Sequence, residues 1–255
     1  MKQGIFTITE NKKIAAGTYL MRLRGDTSAV TVPGQFVNIK LDGFYLRRPI
    51  SVYDCEGDEL SLIYKVVGGG TGTMSGLEPG GRLDLLTGLG NGYELSKAGA
   101  RPLLIGGGAG VPPLFWLCRK LIDAGASPLA VLGFNSERDV FCVEEFRELC
   151  AKRGSRSDVK VVTVDGSYSD EYGCNKGFVT DHLPSGYTYF YTCGPGPMLR
   201  AVYDASVTGG EFSFEERMGC GFGACMGCSC KTVTGYKRIC KDGPVLKKEE
   251  ILWKN

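Results

Sequence analysis

Cys220, Cys225, Cys228 and Cys240 are the residues whose types and spacing speak most directly of chemistry. Four residues separate the first two, two separate the second from the third, and eleven more lead to the last. That is the loop-then-distal-ligand order of a plant-type [2Fe–2S] site. A backbone that wraps a sulfide-bridged iron pair must curve closely and turn N–H groups toward sulfur, and Gly219, Gly221, Gly223, Ala224 and Gly227 allow that curvature. Zinc is the main rival, but zinc sites usually bring two short-spaced cysteine pairs or histidines, and here three cysteines crowd one loop. Cys230 is a fifth candidate ligand, able to replace Cys228 or Cys240.

Four other stretches carry residues suited to ligands. Arg47-Arg48-Pro49-Ile50-Ser51 sets two guanidinium groups beside a strand start; Arg48 suits a bidentate grip on pyrophosphate, and Ser51, at odd separation on an extended chain, faces away from it. Tyr64-Lys65-Val66-Val67 runs into a glycine-rich segment through Gly72-Thr73, which reads equally as an anion-binding loop or a flexible hairpin. Gly106-Gly107-Gly108-Ala109-Gly110-Val111-Pro112-Pro113-Leu114 follows a strand and precedes a helix, the context of a phosphate cradle. Its third fingerprint position falls on Val111, however, so a tight structural turn stands beside that reading. Cys193-Gly194-Pro195-Gly196-Pro197-Met198 is a stiff turn after a strand, with Cys193 either beside a bound ring or simply a packing residue. No carboxylate pair or nucleophile suggests itself, and the single histidine, His182, is read as a surface or helix-end residue.

The elements that must position these groups change character along the chain. Short strands over 5–9, 18–23, 35–41, 50–53, 60–67 and 82–86, broken by Gly, Pro and Asp, predict an antiparallel barrel or sandwich. From Arg101 onward strands at 102–105, 129–134, 159–164 and 187–192 alternate with helices at 114–124, 143–152 and 198–205, which predicts a parallel α/β sheet. The expected units are therefore 1–99, 100–210 and 211–255.

Composition bounds the partners. The chain has 255 residues, 43% hydrophobic and 23% charged, with a net charge of +2 and no basic run, so small molecules or another protein are expected rather than nucleic acid or anionic lipid. Eleven cysteines without an apolar leader point to a reducing compartment, the cytoplasm, and no apolar run approaches a bilayer span. Arg138 could meet a ligand 2′-phosphate, but Glu137 and Asp139 flank it with negative charge, which leans against that contact; Lys247-Lys248-Glu249-Glu250 reads as a solvated charged face.

Taken together, Pro33-Gly34-Gln35-Phe36, Arg48-Pro49-Ile50-Ser51, the run through Gly72-Thr73, Gly106 to Leu114, Cys193-Gly194-Pro195 and the four cysteines resemble the ferredoxin–NADP reductase superfamily, and within it the electron-transfer subunits of bacterial NAD-linked dihydroorotate dehydrogenases. The resemblance spans essentially the whole chain. It implies an α+β multidomain fold: an antiparallel FAD-binding β-barrel, a parallel α/β nicotinamide-binding domain and a small C-terminal [2Fe–2S] lobe. It also implies that Arg48, Pro49, Ile50, Ser51, Lys65, Val66, Val67, Gly72 and Thr73 hold FAD, and that Gly106, Gly107, Gly108, Gly110, Cys193, Gly194 and Pro195 face NAD. Cys220, Cys225, Cys228 and Cys240 would hold the metal. Ile50 stands where the superfamily often has tyrosine. The implied activity passes electrons between an FMN-containing dihydroorotate dehydrogenase partner and NAD in pyrimidine biosynthesis, within a heterotetramer of two of each subunit. A ferredoxin–NADP or sulfide-linked oxidoreductase subunit and a non-catalytic redox-sensing module are the alternatives.

Overall fold

A computed structural model describes residues 1–253. Strands β1 (Lys2–Ala15), β2 (Thr18–Arg24), β3 (Phe36–Ile39), β4 (Arg48–Glu56) and β5 (Glu59–Lys65) lead to a short helix α1 (Gly69–Ser75) and then β6 (Arg82–Leu89). The six strands close an antiparallel barrel in the order β1-β2-β5-β4-β3-β6, which leaves no open edge. Alternation builds it: Val37 and Ile39 on β3, Val52 on β4, Leu60 and Leu62 on β5 and Leu83 and Leu85 on β6 meet inside. Met74 of α1 joins that core fully buried, a contribution of roughly 2 kcal/mol. The glycine-rich run after β5 is thus a helix and not a hairpin loop. Thr71 makes it possible, its Oγ1 accepting the N–H groups of Val67 and Gly68 at 3.0 and 3.2 Å.

Beyond the barrel come β7 (Leu103–Gly107), α2 (Pro112–Asp123), β8 (Leu129–Phe134), α3 (Val143–Cys150), β9 (Val159–Thr163), β10 (Phe190–Cys193), α4 (Gly196–Ala205) and β11 (Gly210–Ser213). The cysteine segment carries a hairpin of β12 (Ser229–Thr232) and β13 (Gly235–Arg238), and β14 (Val245–Lys247) follows. Six strands form one sheet in the order β14-β11-β10-β7-β8-β9, with β14 antiparallel at its edge. The chain steps outward from β7 to β9 and then returns to the other side of β7, so the topological switch point lies between β7 and β10, where open α/β sheets bind ligands. One sheet face buries Leu104, Ala130 and Leu132 with α2 and α3; the other buries Leu103, Ile105 and Val131 with α4. Because β11 and β14 both belong to this sheet, the 210/211 division expected from sequence falls inside β11, and the cysteine loop is spliced between two strands of the α/β sheet.

The run at 247–250 is not a free charged face. Lys247 pairs with Glu94 at 3.0 Å, Lys248 Nζ donates to Ser206 O and Oγ at 2.7 Å, and Glu250 pairs with Lys237, so the run stitches the chain end to the sheet. His182 ends a short 3-10 turn, its Nε2 2.9 Å from Lys176 O.

Candidate functional site

Two adjacent arginines at the start of β4 do different work. Arg47 forks onto Asp84 of β6, with Nη1–Oδ1 and Nη2–Oδ2 both 3.0 Å, and also donates to the carbonyls of Asn38 and Asp84. That guanidinium holds the Asp84 carboxyl below the usual carboxylate range. Among the described residues Arg48 forms no ion pair with a carboxylate. Its guanidinium lies 4.3 Å over the Phe44 ring and against Gly70, where an added Cβ would fall 2.0 Å from Nε. A cation without a carboxylate partner, beside a helix start with no acidic residue in its first turn, fits a pyrophosphate. Gly72 and Thr73 belong to the same helix, and the space where a Gly72 Cβ would sit is open.

Register sorts the rest of β4. Pro49 lies opposite Asn38, Ile50 opposite Val37 and Ser51 opposite Phe36, and residues directly opposite share a face. Ile50 therefore packs against the barrel core, whereas Pro49 and Ser51 face outward, on the side where Tyr53 stacks on Phe115 of α2 at 4.5 Å between ring centroids. At the end of β5, Lys65 pairs with Asp139 at 3.2 Å, Val66 donates its N–H to Gly17 O, and Val67 is 83% exposed, an apolar surface that a bound ring would cover. Arg138 sits in the same turn as Asp139, its carbonyl accepting from Ala16 N at 2.9 Å.

At the switch point the two glycine-containing turns meet. Gly106 of β7 lies opposite Cys193 of β10, and a Cβ on Gly110 would lie 2.1 Å from the Cys193 carbonyl oxygen. Gly107 and Gly194 both close around Met198. Pro112 and Pro113 open α2, so its first turn lacks two of the N–H groups that a phosphate cradle uses. Close packing thus accounts for Gly107 and Gly110, while Gly108 faces open space. Burial pushes the Cys193 thiol up to about 12, which makes it a neutral wall residue at neutral pH.

The four cysteines gather as two pairs. Cys220 Sγ accepts the N–H groups of Ala224 and Cys225 at 3.2 and 3.4 Å, and Cys228 Sγ accepts the N–H of Cys240 at 3.4 Å. Burial raises the Cys220 thiol, but backbone N–H groups of Cys225, Phe222 and Ala224 outweigh it and bring it down to about 6. Burial and the neighbouring Cys228 push Cys240 up to about 12, a crowding of incipient negative charge that a bound cation relieves. Among the described residues no three acidic, cysteine or histidine side chains converge on one metal ion. Two thiols at each of two points match a two-iron cluster better than one tetrahedral zinc. Cys230, on β12 opposite Lys237, packs partly buried against apolar side chains. Arg238 ties the distal cysteine to the loop: it forks onto Asp242 at 2.9 and 3.1 Å and donates to Gly223 O at 2.9 Å.

Residues 215–252 match the family described as the iron-sulfur cluster binding domain of dihydroorotate dehydrogenase B, and residues 104–204 match the oxidoreductase NAD-binding domain. The "Dihydroorotate dehydrogenase B (NAD(+)), electron transfer subunit" of Bacillus velezensis is 41% identical, over 98% of this chain and 99% of that one. The chain belongs to the family of dihydroorotate dehydrogenase B electron transfer subunits. The same subunit of Fusobacterium nucleatum is 38% identical over 96% of each chain. Among solved structures, one described under flavin-based electron bifurcation by the NADH-dependent reduced ferredoxin-NADP oxidoreductase superposes with a TM-score of 0.85 at 27% identity, covering 98% of this chain and 90% of that one. In this electron transfer subunit, sequence reasoning missed two contributors: Asn38, whose Nδ2 donates to Cys220 O at 3.3 Å, and Arg47, whose anchor on Asp84 is visible only once the barrel is closed. The cysteine spacing itself is the signal that located the cluster loop.

Proposed function

We propose that this chain is the electron transfer subunit of an NAD-linked dihydroorotate dehydrogenase, an oxidoreductase component that carries FAD and a [2Fe–2S] cluster and exchanges electrons with NAD. The observation that carries the reading is the pairing of Cys220 with Cys225 and of Cys228 with Cys240, in a loop that Asn38 ties to the barrel strand beside β4. When bound, the flavin takes or gives two electrons with nicotinamide and one at a time with the cluster.

The chain's own residues bind and orient. Arg48 would grip the flavin pyrophosphate beside α1, with Gly72 and Thr73 on that helix; Pro49 and Ser51 on the outward face of β4 and Lys65, Val66 and Val67 at the end of β5 would wall the flavin, with Ile50 backing them from the barrel core. Gly106, Gly107, Gly108 and Gly110, with Cys193, Gly194 and Pro195, shape the nicotinamide edge at the switch point, and the neutral Cys193 keeps charge away from it. Cys220, Cys225, Cys228 and Cys240 would hold the cluster through their thiolates. The barrel of residues 1–99 would serve the flavin and the sheet from residue 100 onward the nicotinamide, with the cysteine loop inserted between β11 and β14 of that sheet. The partner is an FMN-containing dihydroorotate dehydrogenase catalytic subunit, two copies of each chain forming a heterotetramer in the cytoplasm, where thiols persist; pyrimidine biosynthesis is the setting. Glu137 and Asp139 beside Arg138 disfavour a 2′-phosphate and select NAD over NADP. Among the described residues no helix is long and apolar enough to cross a membrane.

The test is to purify the chain anaerobically, assay iron, sulfide and flavin, and combine it with the catalytic subunit. Dihydroorotate-dependent NAD reduction rising on addition of this chain is the expected result, and no increase refutes the assignment. Turnover with reduced ferredoxin in place of dihydroorotate would instead favour the second reading suggested by the ferredoxin-NADP oxidoreductase likeness.

A further inference from the structure

The outward row of β3 joins the two redox halves of the molecule. Val37 and Ile39 point into the barrel core, so Phe36 and Asn38 point out, on the face they share with Ser51 and Pro49 of β4. Phe36 packs in the same buried cluster as Cys228 and Cys240. Asn38 is 1% exposed and reaches the other cysteine pair, its Nδ2 donating to Cys220 O at 3.3 Å. The next residue, Gly221, has a φ of +78°, and a Cβ there would fall 2.3 Å from that same nitrogen. The loop corner is therefore shaped to admit the carboxamide. Asn38 is itself braced: Arg47 donates to its carbonyl at 3.3 Å while locked on Asp84.

A buried carboxamide is a costly choice at this position. Among the described residues Asn38 Oδ1 has no partner, and an apolar side chain, such as Phe36 two residues earlier, would fill the space without that cost. What asparagine supplies is, among the described residues, the single hydrogen bond from the flavin-side strands to the backbone of a cluster-loop cysteine.

We propose that Asn38 is a positioning residue for electron transfer: it pins the Cys220 corner of the cluster loop to the strand paired with β4 and thereby sets the gap between flavin and cluster. The proposal rests on the function argued above. It separates two steps that would share the flavin, because hydride exchange would take place at the switch-point edge of the α/β sheet, to which Asn38 makes no hydrogen bond, while one-electron exchange would cross the β3 face.

The experiment uses the holo-chain with Asn38→Ala and with Asn38→Asp, which keeps the side-chain volume and removes the donor. NADH is mixed anaerobically, and flavin bleaching and cluster reduction are followed as separate phases, with amide hydrogen exchange read over residues 219–225. The expected result is bleaching within about twofold of wild type, cluster reduction slowed by about tenfold, and lost protection in the loop in both variants. Unchanged cluster reduction and exchange would overturn the proposal. So would an equal fall of both phases in both variants, which marks a general structural role. Wild-type protein that binds neither flavin nor iron would overturn the functional reading first, and this proposal with it.

Discussion

Replacing Arg48 and Arg47 separately by alanine should give opposite phenotypes, although the two residues are neighbours in sequence and identical in chemistry. Arg48 has an aromatic face at 4.3 Å and no carboxylate partner among the described residues, so its removal costs the folded apoprotein little, about 0.5–1 kcal/mol of cation–π contact. It also removes the charge-assisted contact to pyrophosphate proposed above, worth about 1.5–3 kcal/mol, so FAD should bind roughly 10- to 150-fold more weakly. Arg47→Ala leaves Asp84, only 20% exposed, without its fork and frees the carbonyls of Asn38 and Asp84. A buried pair would lose more on truncation, but this one is partly solvated, so about 2 kcal/mol is expected, a fall in apoprotein Tm of roughly 4–8 °C for a chain of this size. FAD titration by flavin fluorescence and thermal unfolding of the flavin-free proteins read the two quantities independently. An Arg48→Ala protein that retains FAD affinity within twofold while losing as much Tm as Arg47→Ala would refute the assignment of Arg48 to the cofactor.

Three further outcomes follow from the geometry. Cys230→Ser should retain iron and sulfide at wild-type content, because Cys230 packs against apolar side chains, whereas Cys228→Ser should lose the cluster; iron and acid-labile sulfide assays decide, and the reverse result would reassign the ligands. Gly110→Ala should cost about 1–3 kcal/mol through overpacking against the Cys193 carbonyl and slow flavin bleaching by NADH while leaving cluster content intact, and normal bleaching would show that the switch point does not hold nicotinamide. Burial, only partly offset by the Glu94 N–H at 2.9 Å, raises Glu211 from 4.5 to about 7. The unfolded chain ionises first as pH rises, so stability falls between pH 4.5 and about 7 and is level above, by roughly 3 kcal/mol before solvent screening. Glu211→Gln should flatten that slope in urea midpoints measured from pH 4.5 to 8, and parallel curves for the two proteins would remove Glu211 as its source.

The contrast between Arg47 and Arg48 also marks how far the sequence is legible. The barrel strands announce themselves because alternation follows from a half-buried pleat, and β7 to β9 because continuous Leu, Ile and Val runs follow from burial on both faces. The cysteine loop is readable for a different reason: ligand geometry imposes a local spacing that survives without any knowledge of the fold. What does not show is whatever depends on partners brought together by closure. Arg47 differs from Arg48 only by Asp84, 37 positions away, and Asn38 meets Cys220 across 182 positions, so neither contact leaves a local pattern. The short strands β11 to β14 are hidden likewise, three or four residues each, held by pairing within the sheet and hairpin more than by their own propensity. Helix α1 goes further, since Gly-Gly-Thr-Gly-Thr-Met-Ser disfavours helix residue by residue; Thr71 at its start and Met74 in the barrel core supply what propensity withholds. The glycines that weaken the helix are what admit the Arg48 side chain against Gly70, so the local cost and the place proposed for a phosphate have one origin.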